Sequence, residues 1–193
     1  MAASRRKAVA GRRMRKRPAV FLDRDGVLVR NAMRGGKAHG PYSLKEFRLF
    51  PGAAAAVKRL RHAGYLTIVV TNQPGSAEGL IDPAAVAMMH ARMRREMPLD
   101  SIETCPHKRS DGCRCMKPKP GLLRSAARRY SVDFKRSFIV GDRRSDVIAG
   151  AHVGCYTIFI NRGYDVCHET RPDRTVRSLS QAVRHILTSP RPS

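Results

Sequence analysis

A doubly wound α/β fold built on a parallel sheet is what this 193-residue sequence predicts, and three observations predict it. Short apolar runs rich in β-branched residues recur along the chain, nearly continuous rather than alternating, as strands buried on both faces should be. Segments with helical periodicity and recognisable start and stop signals lie between them. Polar clusters follow the ends of the apolar runs, where ligands bind in an open parallel sheet. The length suits one domain with a real core.

Taken in order, PAVFL at 18–22 is the first expected strand and runs straight into Asp23. After Pro51, residues 52–63 place Ala53, Val57 and Leu60 on one helical face with Lys58, Arg59 and Arg61 off it, and Gly64 closes the segment. YLTIVV at 65–70 is the second strand and precedes Thr71 and Asn72. Asp82 followed by Pro83, a cap and a first-turn residue, opens a helix that runs to Met97. SIET at 101–104 reads as a weaker strand leading into Cys105. Pro120 starts a helix over 121–130. SFIV at 137–140 then leads to Gly141 and Asp142, and CYTIFI at 155–160 leads to Asn161. SLSQAVRHIL at 178–187 forms a last amphipathic helix, and there are no internal repeats.

The net charge is +23, from 38 Lys and Arg against 15 Asp and Glu. Eight of the basic residues lie in the acid-free first seventeen, so 18–193 still holds thirty basic against fifteen acidic side chains. A field of that sign attracts anions and phosphorylated ligands, and also fits non-specific nucleic-acid contact through the basic tail. The tail's Arg-rich, acid-free character would suit an organelle-transit segment, but as a charge run it is read as a disordered, solvated arm. The expected organisation is therefore a basic tail at 1–17, one domain at 18–188 and a short tail at 189–193. No apolar run approaches the ~20 residues of a membrane span, and the start lacks the apolar core of a secretory signal. A cytoplasmic monomer with no membrane insertion is expected. The five cysteines do not suggest a disulfide framework, and Cys155 and Cys167 read as packing or surface residues.

Asp23 and Asp25 in FLDRDGVL leave an apolar run together, separated by Arg24 and followed by Gly26. Two close carboxylates raise one another's pKa unless a cation lies between them. Mg²⁺ with oxygen ligands would relieve the repulsion, and Asp142 in GDRRSDV supplies a third ligand from another strand end. One Asp is then free to attack phosphorus and the other to trade protons. The second constellation is CPHKRSDGCRC, in which Cys105, His107, Cys113 and Cys115 match a Cys₃His tetrahedral Zn²⁺ site. Four protein ligands close the coordination sphere, so this site is read as a structural staple of a loop. His39, His62, His90, His152, His168 and His185 are isolated in sequence and are assigned no role.

FLDRDGVL, VVTNQPG, KPKPG and VGDRRSDV, in that order and at these separations, resemble the four motifs of the haloacid dehalogenase (HAD) superfamily of phosphohydrolases. The resemblance implies that Asp23 is the nucleophile that becomes an aspartyl-phosphate, and that Asp25 is the general acid and then the base. It implies that Thr71 and Asn72 hold phosphate oxygens, that Lys117, which opens the Lys-Pro-x-Pro pattern, stabilises the transferring group, and that Asp142 binds Mg²⁺. Asp146 is expected to position Lys117 or to act on the metal's outer shell.

The zinc loop directly before KPKPG, with no large cap domain, is similar to that of the heptose 1,7-bisphosphate 7-phosphatase and histidinol-phosphate phosphatase group, over roughly residues 18–188. Members of that group usually place an Arg before the motif lysine, where this chain has Met116. Arg114 is the candidate replacement, and Gln73, Arg34, Arg114 and Met116, with Asn72, are the expected substrate-binding residues. RNAMRGGKAHGPYSLKEF is expected to form a second wall through Arg34, Lys37 or Tyr42.

The expected function is Mg²⁺-dependent hydrolysis of a small sugar phosphate, with D-glycero-D-manno-heptose 1,7-bisphosphate cut at its 7-phosphate as the leading substrate. Histidinol phosphate and a nucleic-acid 3′-phosphate stand as alternatives. A non-catalytic zinc-containing nucleic-acid-binding protein is the remoter one.

Overall fold

The computed structural model describes residues 15–165 and 170–188. Most of the expected basic tail, the expected tail at 189–193, Cys167 and His168 lie outside the described residues. Arg17 already belongs to the fold: its N–H donates to Ser131 O at 2.8 Å and its carbonyl accepts from Asp133 N at 2.8 Å.

Each expected element is present, and the differences are informative. In chain order the elements are β1 (Ala19–Leu22), β2 (Ala32–Arg34), β3 (Lys37–His39), α1 (Ala53–His62), β4 (Leu66–Asn72), α2 (Pro83–Glu96) and β5 (Ser101–Cys105). They continue as α3 (Gly121–Tyr130), β6 (Phe138–Gly141), α4 (Arg144–Ala151), β7 (Tyr156–Ile160), β8 (Arg174–Val176) and α5 (Leu179–Thr188). The Asp82 carboxylate caps α2 by accepting from Ala84 N at 2.8 Å. β4 runs two residues past the expected end, so Thr71 and Asn72 are its last paired residues, opposite Thr104 and Cys105 of β5.

Six strands form one parallel sheet in the order β5-β4-β1-β6-β7-β8. The chain moves outward from β1 through β4 to β5, then returns to the other side of β1 for β6 to β8. The order therefore reverses beside β1, the switch point at which open α/β sheets bind ligands.

Both faces of the sheet are covered, which is why its strands read as unbroken apolar runs. Val20, Leu22, Val69, Val140 and Ile158 pack with Leu60, Met89, Met93, Val183 and Ile186 on one side. Phe21, Ile68, Val70 and Ile139 pack with Leu122, Leu123 and Ala126 on the other. Fully burying each large aliphatic contributes about 1.5–3 kcal/mol. Cys155 is also buried.

Four elements had no clear sequence signal. β2 and β3 form an antiparallel hairpin joined by Gly35 and Gly36, both at positive φ, as a two-residue turn of matching twist requires. This hairpin is the glycine-rich wall. α4 lacks an amphipathic stripe because Asp146, Val147, Ala149 and Gly150 are all buried, and β8 has only three residues. Among the described residues no helix is long and apolar enough to cross a membrane.

Candidate active site

β1 delivers Asp23 to the switch point. The Asp23 N–H donates to Val140 O at 2.9 Å, extending the pairing with β6 one residue past the strand. The chain then turns at Gly26, whose φ of 79° suits glycine, and any side chain there would run into the Asp142 carboxylate. Asp142 leaves β6, and Asp146 lies in the first turn of α4. Lys117 reaches in from the loop before α3. Its Nζ donates to Asp23 Oδ1 at 2.9 Å, Asp146 Oδ1 at 2.5 Å and Val70 O at 2.7 Å, all three of its protons being placed. Lys119, the neighbouring candidate, instead braces the cysteine-rich loop through Gly112 O and Cys113 O at 2.6 and 2.9 Å.

Burial dominates the electrostatics. It pushes the Asp23 carboxyl up to about 6 against the pull of Lys117, with Asp146 and Asp25 adding to the rise. Burial, then Asp23 and Asp146, raise Asp142 well above the carboxylate range. Burial opposes the Lys117 charge, but Asp146 and Asp23 outweigh it and hold the ammonium above its ordinary value. Acids crowded in this way call for a further cation.

Asp23, Asp142 and Asp146 can each present an oxygen, all within 4.8 Å of one another. Among the described residues, Asp142 Oδ1 and Asn31 Oδ1 are buried acceptors without a hydrogen-bond partner, as oxygens suited to a hard cation would be. The donor set fits Mg²⁺, with one correction. The Asp25 carboxylate, expected as a ligand, lies outside this cluster because Arg24 holds it.

Arg24 is the largest fully buried side chain. Its Nε donates to Asp25 Oδ1 and its Nη2 to Asp25 Oδ2, both at 2.9 Å, a bidentate pair. Nη2 also donates to Gln73 Oε1 at 2.8 Å, and Nη1 lies 3.3 Å from His90 Nε2 of α2. Gln73 Nε2 donates in turn to Asp25 Oδ2 at 2.9 Å and Thr71 Oγ1 at 2.8 Å. Gln73, expected to contact substrate, therefore has its amide engaged in holding Asp25. Asn72 likewise clamps the lysine loop, with its Nδ2 on Lys117 O and its Oδ1 accepting from Lys117 N, both at 3.0 Å.

His90 carries a consequence for stability. Burial, then the charges of Arg24 and Arg94, lower its pKa from 6.5 to about 4, with Asp25 opposing. Below pH 6.5 the unfolded chain protonates this histidine and the native state does not, so stability is expected to fall from about pH 6.5 toward about 4. His90→Gln should remove that part of the loss. Denaturant titrations of both proteins at pH 7 and 4.5 measure it, and identical losses on acidification would contradict it.

The cleft above these groups has a volume of about 680 Å³. Asp23, Asp25, Thr71, Asn72, Met116 and Lys117 all line it, and Lys37, Tyr42, Arg109 and Arg143 bring it further polar groups. Two expectations are corrected. Arg34 is turned away, paired with Glu46, its Nη1 on Gly40 O at 3.2 Å and its guanidinium 4.0 Å from the Tyr42 ring centroid. Arg114 is exposed and also absent from the described lining. Tyr164, unforeseen in the sequence, bonds Asp142 Oδ2 through its hydroxyl and accepts from Asn31 Nδ2 at 2.5 Å.

The Cys/His loop hangs from Cys105, the last residue of β5, which is buried. Cys105 Sγ lies 3.6 Å from both His107 Nδ1 and Cys113 Sγ. Cys115 Sγ lies 3.2 Å from Cys105 Sγ, 3.5 Å from Cys113 Sγ and 3.2 Å from His107 Nδ1. A tetrahedron with Zn–S of about 2.3 Å has edges of about 3.8 Å. The four ligand atoms thus fit Zn²⁺ with little adjustment. Burial, then Cys115, pushes the Cys105 thiol up to about 12. At Cys113 desolvation acts upward, but the Met116 amide and the neighbouring thiols bring it down to about 7.

The HAD-hydrolase-like family model matches residues 114–182. A D-glycero-beta-D-manno-heptose-1,7-bisphosphate 7-phosphatase of Bordetella bronchiseptica is 38% identical over 149 residues, covering 75% of this chain and 80% of that protein. The chain belongs to the HAD phosphatases. A D-glycero-alpha-D-manno-heptose-1,7-bisphosphate 7-phosphatase of Mycobacterium bovis is 35% identical over 154 residues, covering 73% of this chain and 78% of that one. The crystal structure of the D,D-heptose 1,7-bisphosphate phosphatase of B. bronchiseptica, complexed with magnesium and phosphate, superposes with a TM-score of 0.76 at 33% identity. It covers 88% of this chain and 98% of that chain. This HAD phosphatase is accordingly a phosphoric monoester hydrolase, and the remoter reading as a non-catalytic nucleic-acid-binding protein falls away.

Proposed function

We propose that this HAD phosphatase removes the 7-phosphate of D-glycero-D-manno-heptose 1,7-bisphosphate through an aspartyl-phosphate on Asp23, as a Mg²⁺-dependent cytoplasmic monomer. One observation carries the reading. Asp23 is held by Lys117 beside clustered acids at the switch point, in a chain 38% identical to an enzyme of that name.

Mg²⁺ would be held by Asp23 and Asp142 with help from the Asn31 oxygen and, when bound, screens the carboxylates and polarises the phosphoryl group. Both hydrogen bonds on Asp23 fall on Oδ1, from Arg24 N at 2.8 Å and Lys117 Nζ at 2.9 Å, so Oδ2 is the oxygen that attacks phosphorus. As the Oδ2–P bond forms, the bond to the sugar oxygen breaks and Asp25 gives that oxygen its proton. Asp25 then takes a proton from water, the water attacks phosphorus, and inorganic phosphate and free Asp23 result. Lys117 offsets the negative charge of the transferring group throughout. Cys105, His107, Cys113 and Cys115 would hold Zn²⁺, which would fix the loop that carries Lys117.

The purified chain with Mg²⁺ should release one equivalent of phosphate from heptose 1,7-bisphosphate and leave the 1-phosphate. Both anomers belong in the assay, because relatives of both names align. Release from position 1, or none from either anomer, would overturn the substrate. Lys37 and Arg109, exposed residues that line the cleft, suit the second phosphate in place of Arg34 and Arg114. Replacing both by Met is expected to raise KM for the bisphosphate about tenfold or more, leaving a sugar monophosphate nearly unaffected. An equal rise for both substrates would remove that role.

A further inference from the structure

We propose that His90 is a positioning residue for proton transfer at Asp25, acting through Arg24. The inference rests on the phosphatase reading above and adds a part to its machinery, from a helix that contributes nothing else to the reacting groups.

The buried face of α2 consists of Val86, Met89, His90 and Met93. A histidine among these apolar side chains has a burial cost that another aliphatic would avoid. What it meets there is Arg24 Nη1, at 3.3 Å. A guanidinium donates and never accepts, so His90 Nε2 must be the acceptor, and the ring is neutral with its proton on Nδ1. The low pKa of the ring, set by burial, Arg24 and Arg94 against Asp25, agrees with that state.

Arg24 is wholly buried, and a buried guanidinium with an unplaced donor turns toward another acceptor. His90 satisfies the end of the fork farthest from Asp25. The other end then stays on Asp25, where it selects an oxygen. Oδ2 accepts from both Arg24 Nη2 and Gln73 Nε2, which fills its two acceptor positions, whereas Oδ1 accepts only from Arg24 Nε among the described groups. Oδ1 is therefore the oxygen able to carry the proton for the leaving group. Asp23 and Lys117 do not depend on this chain of contacts, so attack on phosphorus is preserved when it is broken.

The test is the dependence of kcat/KM on the leaving group, measured with the full-length, metal-loaded protein. Alkyl phosphates need a proton on the departing oxygen, while aryl phosphates of acidic phenols do not. His90→Met keeps the volume and removes the acceptor. It is expected to lower kcat/KM roughly 10- to 100-fold for an alkyl phosphate and under about threefold for the activated aryl phosphate.

His90→Gln, whose amide oxygen can accept from Arg24, should recover most of the loss. Arg24→Lys keeps the charge without the fork, should show the same selective loss, and serves if His90→Met does not fold. Equal losses on both substrate classes, or none on the alkyl phosphate in a folded variant, would refute the assignment. A wild-type protein inactive on every phosphate ester would instead sink the parent reading, and this one with it.

Discussion

Asp23→Asn is expected to lower phosphate release by roughly 10⁴-fold or more while the chain stays folded. The amide matches the carboxylate in shape and can still accept from Arg24 N and Lys117 Nζ, so the local hydrogen bonds survive. It cannot attack phosphorus as an anion. Stability should hold, because Lys117 keeps Asp146 at 2.5 Å and Val70 O at 2.7 Å, and the lost charge is one that raises the pKa of Asp142. Phosphate release with Mg²⁺, beside a thermal melt of each protein, makes the comparison. Equal turnover in the variant would remove Asp23 as the nucleophile.

Cys113→Ser is the second large effect. Wild-type protein should contain close to one Zn²⁺ per chain by elemental analysis, and the variant much less. Folding of an isolated zinc finger takes on the order of 10 kcal/mol from its metal. Here the sheet has its own core on both faces, so the damage concentrates in the loop, and a loss of about 3–5 kcal/mol is expected. Activity should fall as well, by up to about 100-fold, because Cys115 stands two residues before Lys117 in the same loop. Metal-free protein of unchanged stability would count against the site.

Much of this site was legible because strong physical constraints leave short-range marks. An apolar run that ends in carboxylates has few structural uses, so Asp23 and Asp142 pointed to the sheet's carboxyl edge. Four soft ligands within eleven residues marked the loop where the structure gathers their ligand atoms, and the Lys-Pro-x-Pro pattern separated Lys117 from Lys119. Side-chain direction left no such mark. Gln73 and Asn72 sit in the expected motif, but their amides hold Asp25 and the Lys117 backbone. Arg34 lies in the expected wall and turns to Glu46 and Tyr42. Arg24 reads in sequence as a spacer between two acids, and its partner His90 is 66 residues away.

The sequence by itself determined most of the alternation of strands and helices, the edge of the sheet that bears the polar clusters, and two groupings close along the chain, Asp23 with Asp25 and Cys105 with His107, Cys113 and Cys115. These rest on local periodicity and on reactive groups close together along the chain. Only the tertiary structure decided which carboxylates gather at the switch point, which oxygen of Asp25 meets a single donor among the described groups, and which basic side chains face the cleft. Hydrogen-bond direction inside a buried network depends on donors and acceptors arriving from distant elements, and no short-range pattern encodes where they meet.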